Sequence, residues 1–244
     1  MRIIPVIDLM GGQVVRGVAG QRDQYRPIQS ALCASSQPVA VASALAARFD
    51  FRELYLADLD AIAGHMPAWN IYQQLSSLGL ALWVDAGVDT LLRARQLADW
   101  SHPLAGVIAG LESLSNLDLL SELVTLLGAE RLVFSLDLKQ GRPLVQSPQL
   151  AELSPRQIAQ RAIQCGVRRL IVLDLAQVGV GAGLSTLELC AALKREYPTL
   201  EITTGGGVRD LQDLARIANA GCDAALVASA LHDGRITPAD IASL

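Results

Sequence analysis

Short apolar runs alternate with longer amphipathic stretches along the whole chain. Eight apolar runs, each followed by a turn rich in Gly or Asp, predict strands at residues 3–8, 53–57, 82–85, 106–109, 131–137, 169–174, 201–204 and 224–228. Helical periodicity predicts helices between them at residues 40–49, 67–78, 116–127, 156–164, 184–196 and 211–220. Strict alternation of strands and helices is typical of a parallel sheet with crossover helices. In a chain of 244 residues, eight such units predict an α/β fold of the (β/α)8 TIM barrel type.

An open, doubly wound sheet is the alternative to a closed barrel. That fold would need a Gly-rich fingerprint after the first strand, and Gly11-Gly12 lacks its spacing. Four segments of the first half recur in the same order in the second half: 6–9 with 135–138, 55–59 with 172–175, 85–88 with 205–208, and 107–110 with 226–229. Their spacing of about 120 residues is close to half the chain length. It predicts a single domain, residues 1–244, made of two half-barrels at about residues 1–122 and 123–244.

Composition and charge exclude several classes of protein. The chain is 51% hydrophobic but only 4% aromatic, which favours aliphatic strands buried on both faces. The formal net charge is −4 and the basic residues form no cluster, so we expect no nucleic-acid partner. The longest apolar stretches, such as residues 224–231, are far shorter than the roughly 20 residues that span a bilayer, so we expect no membrane association. Pro5 and Asp8 interrupt any signal-peptide core, which predicts a cytoplasmic protein.

The cysteines show no spacing typical of a metal site. They are Cys33, Cys165, Cys190 and Cys222, and no His stands near them in sequence at ligand spacing. We therefore expect reduced thiols, no metal and no cofactor.

Aspartates at two strand ends are the candidate catalytic groups. Asp8 closes strand 1 and Asp137 closes strand 5, so the symmetry of the barrel places them on opposite sides of its mouth, where barrel active sites lie. Two carboxyl groups that face one substrate can act as base and acid. The alternative is that either Asp caps the turn after it or pairs with an Arg. Asp58 and Asp174, which end strands 2 and 6, form a second symmetric pair that lines the mouth or caps turns.

A Gly-rich turn after strand 7 is a candidate phosphate-binding loop. Gly205, Gly206 and Gly207 let backbone N–H groups approach an anion closely, and Ala228 and Ser229 after strand 8 add a second helix start. Phosphate sites in barrels are frequently built from these two loops, which predicts a small phosphorylated metabolite as the ligand. The alternative is a tight turn without a ligand.

The equivalent turns after strands 3 and 4 carry acidic residues. Asp85, and with it Glu112, would repel a phosphate group, so the sequence predicts one phosphate site. Asp85 then contacts a hydroxyl, an amine or a ring nitrogen of the substrate, or it has a structural role.

The segment 17–38 is long for a connection between elements of a barrel. Loops of this length are usually lids or binding loops, and the alternative is a solvated flexible loop. As a lid, the segment would bring positive charge to an anionic substrate through Arg16, Arg22 and Arg26.

Several motifs occur in the order and at the spacing of a known protein family. Residues 3–9 with 12–17, and then residues 57–61, 135–137 and 205–208, resemble the opening and the strand 2, 5 and 7 motifs of the HisA/HisF family of histidine biosynthesis. The resemblance implies a (β/α)8 barrel in which Asp8 and Asp137 are the catalytic acid and base. In this family HisA isomerises a bisphosphorylated aminoimidazole ribotide, and HisF is a cyclase that receives ammonia from a glutaminase partner.

Several segments depart from the family pattern. HisA usually carries Asp-Gly-Thr after strand 6, where this chain has Val178-Gly179-Val180. Both HisA and HisF have a Gly-rich turn after strand 3, where this chain has Asp85-Ala86-Gly87, and a Thr-type anion contact after strand 4 is replaced near Glu112. Strand 8, with Ala228-Ser229, is more similar to HisF. Together with residues 20–27, these changes resemble the HisA/HisF-related proteins of organisms that make methanopterin-type one-carbon cofactors.

Three hypotheses of function follow. The first is a HisA-like acid–base isomerase acting on a small phosphate ester, in C1-cofactor biosynthesis and not in histidine biosynthesis. The second is the histidine-pathway enzyme itself, phosphoribosylformimino-aminoimidazole carboxamide ribotide isomerase. The third is a non-catalytic barrel that binds a phosphometabolite or depends on a partner, and the sequence identifies no such protein partner.

Overall fold

The strands of the barrel lie side by side in chain order, and the last strand pairs with the first. The computed structural model describes residues 1–180 and 183–244, and within these ranges eight parallel strands form the barrel. We number them β1 (Arg2–Met10), β2 (Glu53–Asp58), β3 (Ala81–Asp85), β4 (Gly106–Gly110), β5 (Leu132–Lys139), β6 (Arg169–Asp174), β7 (Glu201–Gly205) and β8 (Ala224–Val227). The sheet closes because β8 pairs in parallel with both β7 and β1. The predicted (β/α)8 barrel is therefore confirmed.

Helices cover the outside of the barrel. The longer ones are Pro38–Phe49, Trp69–Ser76, Leu91–Ala98, Leu119–Leu127, Pro155–Gln164, Leu187–Glu196 and Leu211–Asn219, and shorter turns of α-helix lie at Leu59–Ile62, Pro148–Ala151, Ser229–His232 and Pro238–Ala242. Short 3-10 helices lie at Arg22–Gln24 and Leu175–Gln177. Among the residues that the structure describes, no helix has both the length and the apolar character that crossing a membrane requires.

The helix Leu91–Ala98 has no counterpart among the helices expected from the sequence. It buries only Ala94 and Leu97, so its apolar stripe is too narrow to give a strong periodic signal. Its start is marked instead by Thr90, whose side-chain oxygen accepts a hydrogen bond from the backbone N–H of Arg93. This is the contact of an N-cap residue, and it is the feature that identifies the helix.

Alternate residues of each strand point into the barrel or outward to the helices. The inward set forms a cluster of its own, separate from the larger core between strands and helices, and includes Ile4, Tyr55, Trp83, Ile108, Val133, Ile171 and Leu226. The interior is thus filled by side chains, and a cavity opens toward the end where the strands finish.

Arg169 and Trp83 fill the end of the barrel where the strands begin. The Arg169 guanidinium carbon lies 4.1 Å from the centroid of the Trp83 ring, which is the geometry of a cation–π contact. The guanidinium also donates hydrogen bonds to the backbone carbonyls of Ala105 (2.8 Å) and Glu130 (2.6 Å). One buried arginine thereby holds together the starts of three strands.

β1 and β5 both continue into an antiparallel hairpin. β1 pairs with Gln13–Arg16, and β5 pairs with Arg142–Pro143. The first turn has positive φ at Gly11 and Gly12, and the second has positive φ at Gln140 and Gly141. The two hairpins are matching features of the first and second half of the chain. The division into half-barrels stays a prediction, which these hairpins support.

Replacing Arg169 tests its role at the base of the barrel. Arg169→Ala removes the donor to the carbonyls of Ala105 and Glu130 and the contact of a buried guanidinium with Trp83, so we expect the free energy of unfolding to fall by about 3 kcal/mol. Arg168→Ala is the matched control, because Arg168 is exposed and its one side-chain hydrogen bond within the described residues goes to the carbonyl of the neighbouring Val167. Urea denaturation measures both, and similar losses for the two variants would contradict the proposed role of Arg169.

Candidate active site

A cavity of about 620 Å³ opens at the carboxyl ends of the barrel strands. Its wall carries five carboxyl groups, which are Asp8, Asp85 and Asp137 from β1, β3 and β5, Glu112 from the loop after β4, and Asp23 from the loop after β1. The turn after β7 and the loop after β8 form the opposite part of the wall. The catalytic sites of barrel enzymes occupy this position, because loops from every strand converge there.

Asp8 and Asp137 face this cavity from opposite halves of the chain. Asp8 lies where β1 pairs with β2 on one side and with its own hairpin on the other. Asp137 is 6% exposed, and its carboxyl accepts a hydrogen bond of 2.6 Å from the Ser135 hydroxyl. Burial raises the pKa of Asp8 to about 6, and the positive charge of Arg22 opposes that rise. Burial raises the pKa of Asp137 to about 8, and the Ser135 hydroxyl opposes part of it.

Asp85 lies beside Asp137, on the far side of Gly110. A Cβ atom added at Gly110 would be 3.1 Å from Asp137 Oδ2 and 3.8 Å from Asp85 Oδ2, so both carboxyl groups converge over this glycine. Asp85 accepts a hydrogen bond from the Gly87 backbone N–H at 3.2 Å, and the Tyr55 hydroxyl lies 3.5 Å away. Burial raises the pKa of Asp85 to about 7. This end of the cavity is therefore acidic and poorly solvated.

The Gly-rich turn after β7 forms the other end of the cavity. Gly206 and Gly207 line it, together with Ala228 and Ser229 from the loop after β8. Gly207 has φ +96°, and a Cβ atom there would lie 2.3 Å from the carbonyl oxygen of Gly183, so this position requires glycine. Gly205 does not line the cavity, because it packs closely against Leu226 of β8.

Of the three arginines assigned to the predicted lid, Arg22 reaches the cavity. Its guanidinium pairs with Glu112 at 2.8 Å, so the loop after β1 crosses the mouth to the loop after β4. Arg26 instead donates to the carbonyls of Asp23 and Tyr25, and Arg16 binds both carboxylate oxygens of Asp233 at 2.8 Å. Neither Arg26 nor Arg16 lines the cavity.

Asp58 and Asp174 are anchors of loops. Both are 1% exposed, and neither lines the cavity. Asp58 accepts hydrogen bonds from the backbone of Ala61 (3.1 Å) and Ala68 (2.9 Å) and from the hydroxyl of Tyr72 (2.6 Å). Asp174 accepts from the backbone N–H groups of Gln140, Gly141 and Ala176 and from the hydroxyl of Ser185. The alternative reading, that these residues cap turns, matches their contacts.

Several cavity residues were not among the candidates taken from the sequence. Lys139 and Tyr55 are two of them. Lys139 lies two residues after Asp137 and so on the same face of β5, and Tyr55 lies on the inward face of β2. The alternation of side chains along a strand is the signal that could have identified both. Val178 also lines the cavity, at the position where HisA usually has Asp, and it contributes an apolar surface there.

The fold and the cavity define a (β/α)8 barrel with an acidic pocket at the carboxyl ends of its strands. A model of the family described as histidine biosynthesis protein matches residues 2–237, and the chain belongs to this family. The resemblance to HisA and HisF is thereby confirmed.

Relatives of the chain span nearly its full length. An uncharacterized protein of Methanocaldococcus jannaschii is 32% identical over 237 residues, which cover 96% of this chain and 94% of that protein. An imidazole-4-carboxamide isomerase of Desulforudis audaxviator, whose name contains two phosphoribosyl groups, is 29% identical over 250 residues, covering 100% and 91%. The isomerase of the same name from Bacteroides fragilis is 28% identical over 243 residues, covering 97% and 96%.

The structural role of Asp58 can be separated from ligand binding. Asp58→Ala leaves two backbone N–H groups and the Tyr72 hydroxyl without an acceptor, so we expect a loss of about 3 kcal/mol in the free energy of unfolding. Tyr72→Phe removes one of these hydrogen bonds and should cost about 1 kcal/mol. Urea denaturation gives both values. A stable Asp58→Ala protein that no longer binds phosphate esters would show that Asp58 contacts the ligand.

Proposed function

We propose that this protein is an acid–base isomerase of the HisA type that acts on a small phosphate ester, with Asp8 and Asp137 as the catalytic pair. The observation that carries the proposal is that Asp8 and Asp137, from opposite halves of the chain, line one cavity in which burial raises the pKa of both, to about 6 for Asp8 and about 8 for Asp137. Carboxyl groups whose environments separate their pKa values can divide the roles of acid and base. The names of the isomerase relatives support the same class of reaction.

The order of the pKa values assigns the roles within the pair. At neutral pH Asp8 is mainly the carboxylate and Asp137 mainly the neutral acid. In an isomerisation of the Amadori type, Asp8 would take a proton from the carbon next to an imine or carbonyl group. Asp137 would give a proton to the imine nitrogen or carbonyl oxygen, so that no net charge builds up on the substrate.

A single phosphate group would bind at the end of the cavity formed after β7 and β8. Backbone N–H groups in a glycine turn attract anions, and the positive φ of Gly206 and Gly207 brings the chain close to the cavity. At the opposite end, Glu112 and the ionised fraction of Asp85, whose pKa is about 7, disfavour a second phosphate. A donor group of the substrate, such as a hydroxyl, an amine or a ring nitrogen, suits these carboxyl groups.

A second candidate function is the reaction of the isomerase relatives on their own substrate. One observation favours it, because Arg22 supplies a cation at the end of the cavity after β3 and β4, paired with Glu112 at 2.8 Å. A second phosphate would then have to displace Glu112 from Arg22. A role in making a one-carbon cofactor is supported only by the segments that depart from the HisA and HisF pattern. The hypothesis of a non-catalytic barrel is tested by the Asp8→Asn and Asp137→Asn variants.

Activity should depend on pH through both carboxyl groups. As the pH falls below about 6, Asp8 takes up a proton and ceases to be a base, and above about 8 Asp137 loses the proton that it must donate. We therefore expect kcat/KM to follow a bell-shaped profile with limbs near these values. Asp8→Asn and Asp137→Asn should each lower kcat by about 10²–10⁴-fold while ligand binding persists. Unchanged turnover in both variants would rule out the acid–base assignment.

Thermal shift with a panel of ligands tests the phosphate site, because a ligand that binds the folded state raises its melting temperature. We expect sugar monophosphates to stabilise the protein more than sugar bisphosphates or the histidine-pathway ribotide. Gly207→Ala should abolish the shift, since its Cβ would clash with the carbonyl of Gly183. Gly128→Ala is the control, because Gly128 also has positive φ but open space around its Cβ position. Tightest binding and turnover of the ribotide would establish the second candidate instead.

A further inference from the structure

Arg235 lies behind the proposed phosphate site and contacts both loops that form it. One guanidinium nitrogen, Nη2, is 3.2 Å from the hydroxyl of Ser229, which lines the cavity after β8. The other, Nη1, is 3.3 Å from the backbone carbonyl of Arg209, two residues beyond Gly207 in the loop after β7. A single side chain therefore joins the two loops at the point where they meet the cavity.

The guanidinium of Arg235 is held in place by a shared carboxylate. Asp233 accepts a hydrogen bond of 3.1 Å from Arg235, and Arg16 binds the same carboxylate with two bonds of 2.8 Å. The two arginines keep the pKa of Asp233 below its usual range, so it stays ionised. Two guanidinium groups and one carboxylate carry a net charge of +1, which lies next to Ser229. Arg16 thus contributes to this network and not to a lid.

An arginine contact fixes which way a serine hydroxyl can donate. Arg has five N–H donors and no acceptor, so the Ser229 oxygen must accept from Arg235. The hydroxyl proton of Ser229 then points elsewhere and is available to an acceptor in the cavity. A phosphate oxygen is such an acceptor, and the net positive charge behind Ser229 strengthens the hydrogen bond.

We propose that Arg235 is a positioning residue for the substrate's phosphate group, orienting the Ser229 hydroxyl as a donor and adding positive charge behind it. The proposal rests on the proposed function, because it assigns the phosphate to the end of the cavity formed by Gly206, Gly207 and Ser229. Arg235 acts through Ser229 and through the loop after β7. The ligand class is a phosphate monoester or inorganic phosphate.

A double-mutant cycle measured by calorimetry with inorganic phosphate tests the link between the two residues. Arg235→Gln should weaken phosphate binding about tenfold, and Ser229→Ala should do the same to a similar or smaller degree. Arg235 is proposed to act through the Ser229 hydroxyl, so both variants remove the same interaction with phosphate. The double variant should therefore bind phosphate as tightly as whichever single variant has the higher Kd. Arg195→Gln is the control, since it removes the same charge from an exposed position on the helix Leu187–Glu196 and should leave binding within about twofold.

Salt dependence and a charge-conserving variant separate positioning from mere support of the fold. The positive charge of Arg235 makes phosphate binding sensitive to salt, so Arg235→Gln should reduce the change in Kd between low and high salt. Arg235→Lys keeps the charge and should bind with intermediate affinity. If Arg235→Gln folds poorly, Arg235→Lys and Ser229→Ala still give the comparison, and melting temperatures report folding separately.

Phosphate binding by Arg235→Gln equal to that of the wild type would overturn the inference, as would effects of Arg235→Gln and Ser229→Ala that multiply in the double variant. The proposed function fails in a different way. If Gly207→Ala binds phosphate as the wild type does, the phosphate site itself is misplaced. If Gly207→Ala abolishes binding while Arg235→Gln does not alter it, only the role of Arg235 is wrong.

Discussion

The loss of water around carboxyl groups at one end of a closed barrel determines how readily those groups hold a proton. Burial raises the pKa values of Asp8, Asp85 and Asp137 to about 6, 7 and 8. A charged carboxylate loses favourable hydration when it is buried, so each group holds its proton to a higher pH than it would in water. The closed sheet enforces this arrangement, because strands that pair on both sides have nowhere to direct their last inward side chains except the shared cavity.

Matched positions in the first and second half of the chain carry similar loop supports but different residues beside the cavity. Asp58 and Asp174 are matched residues that hold the loops after β2 and β6, and each accepts several hydrogen bonds. The turns after β3 and β7 are also matched by position, but one carries a buried carboxyl group and the other carries Gly206 and Gly207. Supports of this kind tolerate little change because they satisfy buried backbone groups, whereas groups that face a cavity can be exchanged.

Much of the fold could be predicted from the sequence, because buried parallel strands are short apolar runs and their boundaries agree within a few residues. The helix Leu91–Ala98 escaped detection because it buries two small or medium side chains. Asp8, Asp137 and the glycine turn could be located from strand ends. The partner of Arg16 and the Tyr72 hydroxyl that donates to Asp58 could not, because these pairs lie 217 and 14 residues apart in sequence and only the tertiary fold brings them together.

Because the base of the barrel is filled, the cavity is reached from the end where the strands finish. Trp83 and Arg169 occupy the axis where the strands begin, and the cavity opens at the other end beneath the loop that carries Arg22. A ligand would therefore enter and leave this cavity through the same opening. The ion pair between Arg22 and Glu112 joins the loops after β1 and β4 across that opening, so a ligand that needs this space would have to part the pair on entry and again on release. In the proposed reaction, movement of the loop that carries Arg22 would then be a step separate from proton transfer, as lid movements are in other enzymes.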